Sequence, residues 1–172
     1  VGSGGTVLLS TDLGGSWSPQ ASGTSERLNS VRFLDSQNGW IAGSNGFLAR
    51  TGDGGASWTP VSLGTANHLN CVDANGVAVW AVGDDATAFR STDAGGNWAQ
   101  LNLHADDRPD VRAVWVQSAD TVLITGGGGF IRRSYDGGNT WSFLQHTLQG
   151  QISDLYFLGA NGWAASGRVR AV

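Results

Sequence analysis

The chain has 172 residues and a net charge of -4 at pH 7, and all ten of its basic residues are arginines. This balance creates no overall positive field for a phosphate backbone, so nucleic acid is not expected as a partner. Cys71 is the single cysteine, which excludes an intrachain disulfide. No apolar run reaches the roughly 18 residues that span a bilayer, so the chain is not expected to cross a membrane.

A short glycine-rich phrase that ends in tryptophan recurs four times along the chain. Its copies are residues 10–17 (STDLGGSW), 50–58 (RTGDGGASW), 90–98 (RSTDAGGNW) and 133–141 (RSYDGGNTW). Their aspartates are 41, 40 and 43 residues apart, a period typical of stacked units of about four strands. We predict that each aspartate accepts hydrogen bonds from a tight glycine turn and that each tryptophan packs between units. The aspartates are Asp12, Asp53, Asp93 and Asp136, and the tryptophans are Trp17, Trp58, Trp98 and Trp141.

Within each unit the pattern predicts four strands. A segment with apolar residues two apart predicts a first strand with one buried face, at residues 28–35, 69–75, 111–117 and 152–158. A short apolar run predicts the second strand, at residues 39–43, 79–83, 122–126 and 162–166. A turn of small residues leads to a third strand that runs into the glycine phrase, and the fourth strand begins at the tryptophan of that phrase.

Units of four antiparallel strands that lack partners of their own predict an all-β fold, a β-propeller in which each unit is one blade. A single domain is expected over residues 1–172, with repeats at about 28–68, 69–110 and 111–151 and partial repeats at 1–27 and 152–172. Three arrangements remain open. The partial repeats could join to close a four-bladed ring, the chain could be a segment of a larger ring, or a homodimer could complete a ring.

The glycine phrase resembles the BNR repeat, or Asp-box, of sialidases, some other glycoside hydrolases and sortilin-type receptors. A longer phrase, which runs from Phe33 through Asn38-Gly39-Trp40 to Gly55 and is echoed at Asn161-Gly162-Trp163, resembles the photosystem II stability and assembly factor family. That resemblance implies a non-enzymatic scaffold that binds protein partners, such as membrane-protein subunits, and is exported to the thylakoid lumen, the periplasm or the cell exterior. The Asp-box itself implies an alternative, a fragment of a sialidase-like or other glycan-acting hydrolase.

The sequence contains no complete catalytic set. Glycoside hydrolysis generally needs paired carboxyl groups, or in sialidases a tyrosine nucleophile. Glu26 is the only glutamate, and the only tyrosines are Tyr135 and Tyr156. The arginines that repeat with the Asp-box are interpreted as surface charges of the third strands and not as a converging clamp for a substrate carboxylate. They are Arg50, Arg90 and Arg133.

Neither a metal nor a cofactor is expected. Each Asp-box contains a single carboxylate, whereas a calcium loop concentrates several within about a dozen residues. The three histidines are separated by 36 and 42 residues and have no second ligand beside them, which does not fit a zinc site. They are His68, His104 and His146.

Candidate binding residues lie where the units differ on their first strands. One such position is occupied by Arg32, Asp73, Trp115 and Tyr156, and Arg112 occupies another, three residues before Trp115. If the first strand is the innermost, these side chains lie on or near the central channel, where arginine and aromatic residues make typical binding anchors. We therefore predict these five residues as the binding set.

Overall fold

This computed structural model describes residues 1–103, 108–144 and 150–166. In that part of the chain every regular element is a β-strand, apart from three single-turn 3-10 segments. Within each sheet the strands pair antiparallel in chain order, because short turns connect each strand to the next. The predicted all-β fold is confirmed. The described residues contain no helix that is long and apolar enough to cross a bilayer.

The strands form three four-stranded sheets, called blades 1 to 3 below, and a two-stranded half-blade at each end. The amino-terminal half-blade consists of β1 (Val7–Leu9) and β2 (Ser18–Gln20). Blade 1 consists of β3 (Leu28–Phe33), β4 (Gly39–Gly43), β5 (Leu48–Thr51) and β6 (Thr59–Val61). Blade 2 consists of β7 (Leu69–Asn75), β8 (Ala78–Gly83), β9 (Ala88–Ser91) and β10 (Ala99–Gln100). Blade 3 consists of β11 (Val111–Val116), β12 (Val122–Gly126), β13 (Ile131–Ser134) and β14 (Ser142–Phe143). The carboxyl-terminal half-blade consists of β15 (Ile152–Leu158) and β16 (Asn161–Ser166).

The core lies between neighbouring blades, where the face of one sheet packs on the next. Trp40 and Leu48 of blade 1 pack with Leu69 of blade 2, and Trp80 of blade 2 packs with Ile124 of blade 3 in the same way. The first strands β3, β7, β11 and β15 contact one another in that order. They therefore form the innermost layer around a common axis, as in a propeller.

A tryptophan on the second strand of one blade contacts the Asp-box of the next blade. A Cβ atom on Gly95 would lie 2.8 Å from Trp40 Nε1, and one on Gly138 would lie 2.6 Å from Trp80 Cη2. Both glycines are left-handed, with φ of +85° and +89°. Glycine is required at these two positions because of both the backbone conformation and the close approach of the indole ring. We call this arrangement the tryptophan–glycine contact.

The Asp-box tryptophans differ in burial. Trp58 is buried, Trp98 and Trp141 are half-buried, and each of the three packs against the preceding blade or half-blade. Trp17 is 61% exposed. Within the described residues Trp17 therefore does not pack between two units, and its predicted role stays a prediction.

Each first strand contains a β-bulge near its start. The register of β3 shifts between Leu28 and Ser30, and β7, β11 and β15 shift at the equivalent position. A bulge changes the side to which the residues beside it point. Because all four bulges coincide, equivalent residues that follow them point to the same side of the blades.

The two half-blades form separate sheets. In the described residues β1 pairs only with β2, and β16 pairs only with β15. The closed four-bladed ring is therefore not formed in this part of the chain, which is instead an open array with a two-stranded sheet at each end.

Candidate binding site

The Asp-box carboxylates are occupied by their own turns. In blade 1, Asp53 Oδ1 accepts hydrogen bonds from the Ser57 amide at 2.9 Å and from the Thr51 hydroxyl at 2.7 Å. Hydrogen bonds from the side chain and the amide of Ser57 lower the pKa of Asp53 to about 2. Asp12, Asp93 and Asp136 make the same bonds, and their pKa is also about 2. These hydrogen bonds indicate that the four aspartates stabilise the Asp-box turns.

A cavity of about 280 Å³ opens on the channel side of the four first strands. Arg32 of β3, Asp73 of β7, Trp115 of β11 and Tyr156 of β15 all line it. These residues follow the bulges by the same number of positions, so the repeat places one on each strand of the wall. Four of the five predicted binding residues are thus brought together.

Arg32 and Asp73 form an ion pair that crosses from blade 1 to blade 2. Arg32 Nε lies 2.9 Å from Asp73 Oδ1, and the exposed fractions of the two side chains are 48% and 12%. Arg32 also donates to the Ala74 carbonyl, and Asp73 Oδ2 accepts from the Val116 amide of blade 3 at 2.8 Å. Burial raises the pKa of Asp73, although the Val116 amide and Arg32 act in the opposite direction. The pair therefore links three blades as well as lining the cavity.

Aromatic rings line the other end of the cavity. Trp115 stacks on Phe157 with ring centroids 4.0 Å apart and planes inclined by 20°. Tyr156 is 62% exposed and lies 6.0 Å from Trp163, its cross-strand neighbour on β16. These rings provide an accessible apolar surface at the opposite end of the cavity from the ion pair, a combination that suits peptide side chains.

Arg112, the fifth predicted binding residue, does not line the cavity. It lies at the bulge of β11, where it contacts Asp110 Oδ2 at 2.6 Å and Asp84 Oδ1 at 3.4 Å. Arg112 lies three residues before Trp115, and an odd offset along a strand leads to the opposite face, so Arg112 does not share the wall of Trp115.

The arginines of the third strands are not simple surface charges. Arg90 donates to the Gly137 carbonyl at 2.8 Å and to the Ala119 carbonyl at 3.0 Å, both in blade 3. Arg133, at the equivalent position of blade 3, instead donates to the Tyr135 hydroxyl of its own Asp-box. The interpretation of Arg90 as a surface charge is therefore wrong, since it bridges two blades.

The residues considered for catalysis or metal binding do not converge. Glu26 accepts a hydrogen bond from Asn45 and lines a different cavity from the one that contains Tyr156. The ring of His68 accepts a hydrogen bond from the Asn45 amide, whereas His104 and His146 lie outside the described residues. Within the described residues no group of three or more His, Cys, Asp or Glu side chains could hold a metal ion.

The cavity is also lined by residues that were not predicted, and three of them share a simple relation to the predicted ones. Ser30, Cys71 and Asp154 each lie two positions before a predicted residue on the same strand. The period of two in a strand could have identified them, because residues i and i+2 share a face. Burial is the main reason that the pKa of the Cys71 thiol is raised to about 11, which keeps the thiol protonated at neutral pH.

A family model described as photosynthesis system II assembly factor YCF48 matches residues 9–156. Among solved structures, YCF48 bound to a D1 peptide is 26% identical, with a TM-score of 0.73, and the match covers 82% of this chain and 48% of that one. YCF48 from Cyanidioschyzon merolae is also 26% identical, with a TM-score of 0.62 and coverage of 68% and 36%. The chain thus spans half or less of the length of these two relatives.

The fold is also shared with glycoside hydrolases. An ancestral GH74 enzyme is 18% identical, with a TM-score of 0.70, and the match covers 84% of this chain but 22% of the enzyme. At this identity the likeness concerns the propeller fold alone. Comparison with curated protein sequences gave no significant match.

Proposed function

The chain belongs to the YCF48 family of photosystem II assembly factors, and from this membership we propose that it is a non-catalytic scaffold whose channel cavity binds a peptide segment of a membrane-protein subunit. The observation that carries the proposal is the convergence of Arg32, Asp73, Trp115 and Tyr156 from four consecutive first strands on one cavity. The D1 peptide bound by a similar protein makes D1 the first partner to test.

The size and chemistry of the cavity support a peptide as the ligand. Its volume of about 280 Å³ is at the lower end of ligand pockets, which typically have about 300 to 1,000 Å³. It would therefore hold one or two side chains of a peptide whose backbone crosses the channel mouth. Exposed aromatic rings in the same cavity as a polar pair give such a contact both apolar burial and orientation.

Hydrolysis of glycans is the weaker candidate. A sialidase-like mechanism would need Tyr156 beside an acidic partner, but Glu26 lines another cavity. Asp73 also lines the cavity of Tyr156, yet both of its oxygens are engaged, one by Arg32 and one by the Val116 amide. We therefore expect no turnover of a sialoside or a β-glucan, and turnover that is lost in Tyr156→Phe would refute the scaffold proposal.

The open ends of the array favour completion of the ring. Trp163 on β16 is exposed, as is Trp17 next to β2. Trp163 lies on the second strand of its half-blade. The tryptophans at the equivalent position of blades 1 and 2 contact the Asp-box of the next blade. We propose that a homodimer covers these ends, with β16 of one copy beside β1 of the other. The molar mass from light scattering tests this, because a monomer at high concentration would refute the dimer.

The site of action is proposed on the exported side of the membrane. The thylakoid lumen or the periplasm is the expected compartment by family membership. Fractionation of cells that express the full-length protein tests this expectation.

Binding can be tested with overlapping synthetic peptides that cover D1, measured by fluorescence anisotropy with the whole chain. The decisive pair of variants is Tyr156→Ala and Tyr135→Ala, because the two tyrosines are 62% and 63% exposed but only Tyr156 lines the cavity. Loss of a binding anchor weakens affinity by at least about fivefold. We expect that loss for Tyr156→Ala alone. Equal effects of the two variants, or no binding by any D1 peptide, would contradict the proposal.

A further inference from the structure

The charges that line the channel cavity do not cancel. Three ionised side chains lie on its walls, namely Arg32, Asp73 and Asp154. Arg32 is paired with Asp73 at 2.9 Å, so these two charges offset each other. Asp154 has no ion-pair partner among the described residues, and its Oδ1 accepts only the Leu155 amide. Among the described residues, the lining of the cavity therefore has one negative charge that no arginine offsets.

The ion pair of Arg32 and Asp73 and the unpaired carboxylate of Asp154 lie on different parts of the cavity wall. Arg32 is held towards β7 by its contacts with both Asp73 and the Ala74 carbonyl. Asp154 lies on β15, at the other end of the row of first strands. A ligand group near Asp154 thus lies at the opposite end of the row of first strands from Arg32. A cationic group there is only weakly repelled by Arg32, because Asp73 offsets the charge of the arginine.

Cys71 also lines the cavity and lies within reach of the charge of Asp154. Burial is the largest cause of the raised pKa of the Cys71 thiol, and the charges of Asp73 and Asp154 raise it further. The charge of Asp154 therefore acts inside the cavity, where it would attract the cationic group of a ligand.

Aromatic surface lies beside the unpaired carboxylate. Tyr156 is two residues after Asp154 on β15, and Trp115 stacks on the next ring, Phe157. The methylene stem of a lysine or arginine packs well on such rings, while its charged head remains at the polar edge. A cation near the face of tyrosine or tryptophan gains a further attraction.

We infer that the peptide bound in this cavity presents a lysine or arginine side chain next to an apolar residue, with its cationic head paired to Asp154. This inference rests on the proposed function, since it specifies the ligand of the same site. It identifies Asp154 as the residue that sets the charge specificity of the scaffold.

Three capped nonapeptides test the inference. They are identical except for the central residue, which is lysine, glutamine or glutamate between two phenylalanines. One unit charge at contact distance in water changes affinity by about fivefold. We therefore expect the lysine peptide to bind about fivefold more tightly than the glutamine peptide at low salt, and the glutamate peptide to bind most weakly. The difference should shrink as salt shortens the screening length from about 30 to about 3 Å.

Two variants separate a local effect of Asp154 from the net charge of the protein. Asp154→Asn keeps an acceptor for the Leu155 amide but removes the charge, and Glu26→Gln makes the same charge change in another cavity. We expect the preference for lysine to disappear in Asp154→Asn and to persist in Glu26→Gln. Equal loss in both variants would overturn the assignment to Asp154.

The outcomes also distinguish failure of this inference from failure of the proposed function. If D1 peptides bind and depend on Tyr156, but the glutamine or glutamate peptide binds as well as the lysine peptide, the charge inference is wrong and the scaffold function stands. If the lysine peptide does not bind at about 1 mM while D1 peptides do, the inference is equally overturned. If nothing binds, both are overturned.

Discussion

Gly138→Ala should show how much the tryptophan–glycine contact contributes to stability. Two separate costs are expected. Alanine in a left-handed conformation costs about 1 to 2 kcal/mol, and Gly138 has a φ of +89°. A Cβ at this position would also lie 2.6 Å from Trp80 Cη2 and 2.9 Å from Leu101 Cδ1, and overpacking of this kind costs about 1 to 3 kcal/mol. The free energy of unfolding should fall by about 2 to 5 kcal/mol in total.

Gly128→Ala is the matched control within the same blade. Gly128 is also left-handed, with a φ of +64°, but a Cβ there would meet no atom within 4 Å. Only the backbone cost of about 1 to 2 kcal/mol applies. Urea unfolding followed by tryptophan fluorescence measures both variants. If the two substitutions destabilise the protein equally, the packing of Trp80 on the Asp-box is not a source of stability and the argument for the contact fails.

Three further predictions follow from the hydrogen bonds and the burial. The pKa of the Asp-box aspartates is lowered from 3.8 to about 2. The stability that their charged form contributes is therefore complete above a pH of about 4 and is lost as the pH falls towards 2. Urea midpoints measured at a series of pH values should decline in that window, and a rise would contradict this prediction. The pKa of the Cys71 thiol, raised to about 11 by burial, should make native protein react with a thiol reagent at neutral pH far more slowly than unfolded protein, and equal rates would refute this. Arg90→Leu removes two hydrogen bonds to blade 3 and should lower the free energy of unfolding by about 1 to 3 kcal/mol. Arg133→Leu loses a hydrogen bond to Tyr135 within its own turn and should lower it by less than about 1 kcal/mol. The reverse order in urea unfolding would contradict the assigned roles.

Local periodicity was sufficient to predict the strands. The predicted second strand at residues 39–43 coincides with β4 (Gly39–Gly43), and the predicted first strand at 69–75 coincides with β7 (Leu69–Asn75). Turn chemistry was equally informative, because all four boxes have a left-handed glycine two residues after the aspartate. The repeat then placed Arg32 and Tyr156 at equivalent positions, and the structure brings both to one cavity.

What the sequence did not reveal depends on residues far apart in the chain. Trp40 contacts Gly95, and no pattern within one unit encodes a partner in the next. The placement of Arg112 beside Trp115 failed for a different reason. The two residues are three positions apart, and an odd offset along a strand leads to the opposite face, so Arg112 does not line the cavity.

The tryptophan–glycine contact is directional, and this bears on how such arrays arise. Blade 2 offers the ring of Trp80 to its successor and the glycine turn at Gly95 to its predecessor, so a copy of this blade could follow the original. Tandem duplication of one stretch of 40 to 43 residues would insert a blade that already fits its neighbours on both sides, and no new interface would have to evolve. Propellers with different numbers of blades can therefore descend from a single ancestral module through gene duplication.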